Sequence, residues 1–356
     1  MSDPAHRDTD LLLKEMEKKI AKVYRKAELE VAEKLADYMK RFGTKDKIWQ
    51  GWVKTGKKTD KQYKEWLTGQ VMISKRWKEM RESLAEDYHN ANKIAKSVVN
   101  GYMPEVYALN RNYSTYEIEH GLGIDTSYTA YDRQTIERIF RGNPKLYHDP
   151  GEKRQRDIAE KKDIKWNENK IQSAMLQSIL QGESIPNITT RLMEAVGEVG
   201  ESNRKAMVRN ARTMTTGVEN AGRVDGYRRA EKMGIKVKKQ WLATLDGRTR
   251  HSHRVLDGEI MDVDKKFSNG CMFPGDPDGA PSEIYNCRCT LIGALEGFER
   301  DLSDLNIRHV KDIEGMSYKE WQESKKISSN PILLPEEKAA AIKGAYINEY
   351  RGRKKK

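Results

Sequence analysis

The chain has 356 residues, room for two or three domains of ordinary size. Hydrophobic residues make up 37% and charged residues 34%, against usual shares of roughly 45–50% and about 25%. That predicts a core-poor, elongated, helix-rich protein anchored by large side chains, here seven Trp and sixteen Tyr.

Lys and Arg (66) against Asp and Glu (54) leave +12, which suits an acidic partner such as nucleic acid and says nothing about fold. No run approaches the ~18 apolar residues of a membrane span. The polar start MSDPAHRDTD lacks the pattern of a signal peptide. Three cysteines exclude a disulfide-built scaffold and point to a reducing compartment.

In chain order, Leu13, Met16, Ile20, Val23, Ala27, Val31, Leu35 and Tyr38 recur at steps of three and four. This is the stripe of an amphipathic helix, and Gly43 is read as its stop. A second stripe, Trp66, Ile73, Trp77, Met80, Leu84, Tyr88, Ala91, Ala95 and Val98, predicts another long helix. Residues 1–100 are therefore an amphipathic helical region, its helices paired as an antiparallel hairpin or docked on a partner. Between the stripes, Trp49, Trp52, Tyr63 and Trp66 sit among lysines. Such interleaving can stack on bases, but a small aromatic cluster with a solvated basic rim is the plainer reading.

Residues 101–164 are expected to be a Tyr-rich, loop-rich connection, ending in the turn-dense RGNPKLYHDPGEKRQRD. Helical period returns at Ile171, Met175 and Ile179, breaks at Gly182 and Pro186, and resumes over 188–196 and again over 202–232. After Gly234 the alternation VKKQWLA predicts a strand, and CRCTLIGAL a second one after a Gly/Asp/Pro-dense stretch. A short helix over 339–350 precedes the basic end RGRKKK. The expected fold class is α+β: long amphipathic helices in the N-terminal half and middle, then a small turn-rich β module and a short C-terminal helix.

The chemistry-bearing residues concentrate in QWLATLDGRTRHSHRVLDG and NGCMFPGDPDGAPSEIYNCRC. Three readings compete. His253, Cys271, Cys287 and Cys289 could supply the four N/S ligands of a structural zinc site, with His251 or Asp257 in reserve. The single residue between Cys287 and Cys289 is short for a zinc knuckle, although i and i+2 of a strand share a face. Catalysis by a metal-bound His/Asp set or a His-activated Cys is the second reading, and no recognisable spacing supports it.

The third reading is structural, and it is preferred. Asp246-Gly247 and Asp257-Gly258 are turn dipeptides. Arg248, Arg250 and Arg288 can bridge carboxylates bidentately, so buried polar pairs lock a module whose cysteines are small apolar fillers.

The ordered set W-L-A-T-L-D-G-R-T-R-x-S-H-x-x-L-D-G, P-G-D-P-D-G-A-P and N-C-R-C resembles the Mu F-like minor head proteins of tailed bacteriophages. NARTMTTGVENAGRVDGYRRAEKMGI is similar to the Arg-Thr-rich helix that precedes the tryptophan strand in that family. LQSILQGESIPNITTRLMEA resembles its lead-in. The likeness covers roughly residues 165–295, leaving 296–356 as a C-terminal segment with a basic tail. Its motif residues here are Trp241, Asp246, Arg248, Thr249, His253, Asp257, Gly258, Asn286, Cys287, Arg288 and Cys289. Many relatives write D-x-R-T-C-x-x-C with a His before N-C-R-C. In this chain Arg250 and His253 take the two Cys positions and Ile284 the His position, which argues against a complete metal cluster.

The resemblance implies a minor structural component of the phage head and no enzymatic turnover. Its implied partners are the portal protein, capsid or scaffold proteins and nonspecific DNA, with no membrane. Its implied places are the virion and, during assembly, the host cytoplasm, and its implied processes include DNA packaging or ejection. No cofactor is expected, zinc being the one alternative. The alternatives in function are a metal-dependent DNA-processing enzyme and an effector delivered with the DNA.

Residues 161–240 hold 16 Lys and Arg against 9 Asp and Glu, a net +7, and residues 241–300 hold 7 against 10, a net −3. The motif block is thus acidic. Any DNA contact is expected in the helices before it and in the tail, at Arg351, Arg353, Lys354, Lys355 and Lys356.

Overall fold

The computed structural model describes residues 3–72, 74–126, 128, 133–142, 162–298, 308–309 and 313–325. The elements in order are α1 (Pro4–Lys54), α2 (Asp60–Met72), α3 (Lys75–Leu122), β1 (Ile124–Asp125), α4 (Arg133–Gly142), α5 (Lys162–Leu180), α6 (Ile185–Lys232) and β2 (Ile235–Leu242). They continue with α7 (His251–Val255), β3 (Ile260–Asp262), α8 (Pro281–Ile284), β4 (Thr290–Phe298), β5 (Arg308–His309), a 3-10 turn (Ile313–Gly315) and α9 (Tyr318–Ser324). The fold is α+β, as expected. The short C-terminal helix among the described residues is α9; the one expected at 339–350 lies outside them, as does the tail with Arg351, Arg353, Lys354, Lys355 and Lys356.

The chain packs as two compact units. One comprises residues 15–98 and 151–210, the other 1–14, 99–150 and 211–356. In the first, Met16, Ile20, Val31, Leu35, Trp77, Leu84 and Tyr88 of the two apolar stripes are buried, but the second stripe is not one helix: Trp66 lies in α2, Trp77 and the residues after it in α3, and Ile73 outside the described residues. Gly43 does not stop α1. A glycine inside a helix costs about 1 kcal/mol relative to Ala, and burial of Met39 and Phe42 beside it outweighs that.

The aromatic stretch is a cluster, with Trp49 stacked on Trp66 at 5.1 Å and edge-on to Trp52 at 5.3 Å. Lys58 lies over the Trp49 ring. A buried polar layer threads the same helices: Asn92 donates to Asp163 and Asn203, Asn203 donates to Asn167, and Tyr24 donates to Asn92.

Two breaks expected from composition are absent. α3 runs on to Leu122 with Pro104 inside it, so the loop-rich connection does not begin at 101. Tyr102, Tyr107 and Tyr113 are buried helical residues, and the turn-dense 143–157 lies outside the described residues. Likewise the helices expected at 188–196 and 202–232 are one helix, α6. A Cβ on Gly200 would meet the Tyr88 ring at 2.9 Å, so that glycine admits a neighbouring side chain instead of ending a helix.

In the second unit Gly234 follows the end of α6, and its φ of 79° is the left-handed conformation that glycine adopts freely just past a helix C-terminus. β2 then alternates strictly, with Ile235, Val237, Lys239 and Trp241 inward. It forms the centre of an antiparallel sheet ordered β3-β2-β4, with Trp241 opposite Leu291. The core gathers Ile118, Val224, Tyr227, Val237, Trp241, Leu256, Val263, Phe267 and Leu291. A second cluster sets Ala5, Tyr113 and Tyr128 against Tyr318 and Trp321. α9 carries a capping box, Ser317 with Glu320, and is anchored where Trp321 and Lys325 reach the buried Glu119.

Candidate functional site

The polar side chains of α6 create the site. Thr213, Thr216, Asn220 and Arg223 recur at steps of three and four and so share one face. Thr213 accepts from the Asn286 amide at 3.1 Å, and Thr216 donates to the Cys287 carbonyl at 2.6 Å. Asn220 donates to the carbonyls of Pro274 and Cys289, and Arg223 to that of Leu291 at 2.8 Å. This face satisfies backbone groups of the Asn286–Cys289 segment, which precedes the sheet ladder, and of Pro274 and Leu291 beside it. The signal for this stripe in the sequence is the helical spacing of polar residues at 213, 216, 220 and 223.

Held this way, N-C-R-C has a defined shape. Asn286 takes φ 53°, which Asn tolerates better than most residues. β4 begins only at Thr290, so Cys287 and Cys289 precede the strand instead of lying in it. Burial nonetheless alternates over Cys287, Arg288 and Cys289. Both thiols turn inward, each residue 2% exposed, while the Arg288 side chain is 39% exposed on the other side.

Inward, Cys289 Sγ lies 3.4 Å and Cys287 Sγ 3.7 Å from His253 Nδ1. His253, on α7, is itself buried, and its Nε2 is 3.2 Å from a Glu283 carboxylate oxygen. Trp241 packs edge-on against the imidazole at 5.4 Å and against Phe267 at 5.1 Å. The Cys287 contact and His253 hold the Cys289 thiol below its ordinary pKa. Pairing with Cys289, together with burial, pushes Cys287 up.

Cys271 is elsewhere in the core. Its thiol packs where a Gly279 Cβ would stand, and burial pushes it up to about 12, as suits an apolar filler. Three of the four zinc candidates thus converge and the fourth does not. His251 is exposed.

Outward, Arg288 clasps Asp246 through both nitrogens, at 2.5 and 2.7 Å. Asp246 also accepts from the Arg248 amide and from Thr249. Thr249 donates to the Thr244 carbonyl, and Thr244 to that of Arg288. The Arg288 guanidinium, with these hydrogen bonds, holds the Asp246 carboxyl well below the usual range.

The preferred expectation of buried charge pairs needs correction. The Asp246 and Arg288 side chains are 36% and 39% exposed, because the alternation that buries both cysteines turns Arg288 to solvent. Arg250 donates to the Tyr285 carbonyl and Arg248 joins through its backbone, so Arg288 is the one of the three shown bridging a carboxylate. Asp257 accepts from the Ala243 amide, and Gly258 donates to the Trp241 carbonyl at the end of β2.

A residue the sequence did not single out completes the block. Lys239, fully buried, donates to the carbonyls of Val263 and Met272 and lies over the Phe267 ring. Burial lowers its pKa to about 8. Beside the block, a cavity of about 350 Å³ is lined by Tyr107, Asp225, Arg228, Phe273 and Asp276, among others.

The model of the family described as Phage Mu protein F like protein matches residues 169–292. The match covers about a third of the chain and is a likeness to that family over those residues. The chain is 32% identical over 154 residues to NAD(+)–arginine ADP-ribosyltransferase EFV of Enterococcus faecalis, covering 42% of this chain and 30% of that protein. It is 27% identical over 260 residues to minor head protein GP7 of Bacillus phage SPP1, covering 70% of this chain and 77% of that one. An uncharacterised protein of Haemophilus influenzae is 26% identical over 247 residues, 67% of this chain and 48% of its own length. The chain therefore spans less than a third of the first relative, most of the second and about half of the third. No solved structure matches. Among the described residues no helix is long and apolar enough to cross a membrane.

The matched Mu F-like residues include α6, the Trp241 strand, α7 and the N-C-R-C segment. The carbonyl-gripping face of α6 is thus part of the family region and not an appendage to it.

Proposed function

We propose that this chain is a minor head protein of a tailed phage, a non-enzymatic participant in head morphogenesis. On this reading it binds portal and capsid or scaffold proteins in the host cytoplasm and remains in the virion. DNA is a nonspecific partner, touched by basic helical surface and tail during packaging or ejection. The observation that carries the reading is the similarity to minor head protein GP7, which extends over 260 residues, well beyond residues 169–292.

The chemistry of the block supports it. The imidazole and both thiols are about 2% exposed, whereas catalysis on a polymer needs reacting groups that the polymer can touch. Its polar side chains mostly satisfy backbone groups. The test is co-sedimentation of the purified full chain with portal and with procapsids, together with assembly in its absence. Binding and defective heads are expected; failure to co-sediment alongside normal maturation without the protein would sink the reading.

One observation favours an effector instead, the 154-residue match to a protein named as an ADP-ribosyltransferase. It covers 30% of that protein. Transfer of ADP-ribose from NAD(+) to arginine by this chain would establish that alternative, and its absence is expected.

A further inference from the structure

We propose that His253, Cys287 and Cys289 bind one borderline-soft divalent cation, zinc, through Nδ1 and the two thiolates. The three donor atoms lie within 4.8 Å of one another, and all three residues are buried. Tetrahedral zinc, with bonds of about 2.3 Å to sulfur and 2.0–2.1 Å to nitrogen, places neighbouring S and N ligands about 3.5–3.6 Å apart. The measured separations are 3.4 and 3.7 Å. An imidazole Nδ1 has a single lone pair, and here it faces two sulfurs, an arrangement that one cation satisfies at once.

At the other ring nitrogen, a carboxylate oxygen of Glu283, on α8, stands 3.2 Å from Nε2 but makes no hydrogen bond to it. Two thiolates and a neutral imidazole neutralise the ion's charge within a site that water barely reaches. Among the described residues no further His, Cys or carboxylate joins the three.

The ligands come from α7 and from the short segment before β4, two pieces too short to be stable alone. A metal between them would tie both to the Trp241 strand. The site is structural, and it stands independently of the head-protein reading, because metal content is measured without portal or procapsid.

The experiment is elemental analysis of the full chain, purified under reducing conditions without chelator, followed by replacement with Co2+. Roughly one zinc per chain is expected, as are thiolate-to-cobalt charge transfer and the intense visible bands of a tetrahedral ion. His253→Gln and Cys289→Ser should lose both the metal and the bands, while Cys271→Ser keeps them. Chelator should lower the thermal midpoint, and added zinc should restore it. Metal-free protein with no charge-transfer band on Co2+ titration would overturn the proposal. So would a Cys287–Cys289 disulfide in protein alkylated at lysis. If the ligand variants fail to fold, the Co2+ spectrum of the unaltered chain decides alone.

Discussion

Lys239 and Arg288 carry like charges in one small module, and their surroundings assign them opposite weights. Lys239 stands on the inward face of β2 and is the donor to two carbonyls of the loop that carries Cys271. Lys239→Met keeps the length of the side chain and strands those carbonyls. A buried acceptor left unmade costs about 1–3 kcal/mol, so the thermal midpoint should fall by several degrees. Arg288 holds Asp246 in plain reach of water, where ion pairs contribute little. Arg288→Ala should move the midpoint much less, and thermal denaturation of the two variants side by side gives the ranking. Equal losses would show that the Asp246 clasp, despite its exposure, carries as much as the buried amine. The sequence marks Arg288 because it belongs to a motif. It hides Lys239, since a lysine in I-K-V-K-K-Q-W reads as one more solvated charge.

At the scale of elements, the long helices outrun the punctuation in their sequence. Gly43, Gly200 and Pro104 each look like a stop, and α1, α6 and α3 pass through them. Gly222 shows what such a residue does instead. A Cβ there would stand 2.7 Å from the Tyr107 carbonyl oxygen and 3.2 Å from the Arg111 nitrogen, so its absence lets α6 approach the backbone of α3. Gly222→Ala gains about 1 kcal/mol of helix propensity and loses about 1–3 kcal/mol to overpacking against backbone that cannot yield. The second term wins, and urea unfolding should show a destabilised protein. A more stable variant would mean that the two helices separate without cost. From sequence, a glycine against a backbone and a glycine ending a helix look alike, because the difference lies in a partner more than 100 positions away.

For the molecule as a whole, the unit holding the Mu F-like block is closed by residues from the start of the chain. Asp3 pairs with the buried Arg223 at 2.6 Å, and His6 with the buried Glu219 at 2.7 Å. The Glu219 charge raises the His6 pKa from 6.5 to about 9. A group whose folded pKa is raised binds its proton more tightly in the folded state. Its contribution is therefore full below about 6.5 and lost as pH climbs through about 9. The thermal midpoint should decline between those values, and His6→Asn should flatten the decline. An unchanged slope in that variant would show that another group sets the pH dependence.

The motif block, the α+β class and the amphipathic stripes were legible in the sequence because each depends on near neighbours: turn dipeptides, period two, period three and four. Tertiary structure alone decided that α6 grips the N-C-R-C backbone, that Asp3 and His6 complete its charge network, and that His253 meets both thiols while Cys271 does not. Those contacts join residues from about 30 to more than 200 positions apart. Their strength comes from excluding water, and only packing of the whole unit brings that about.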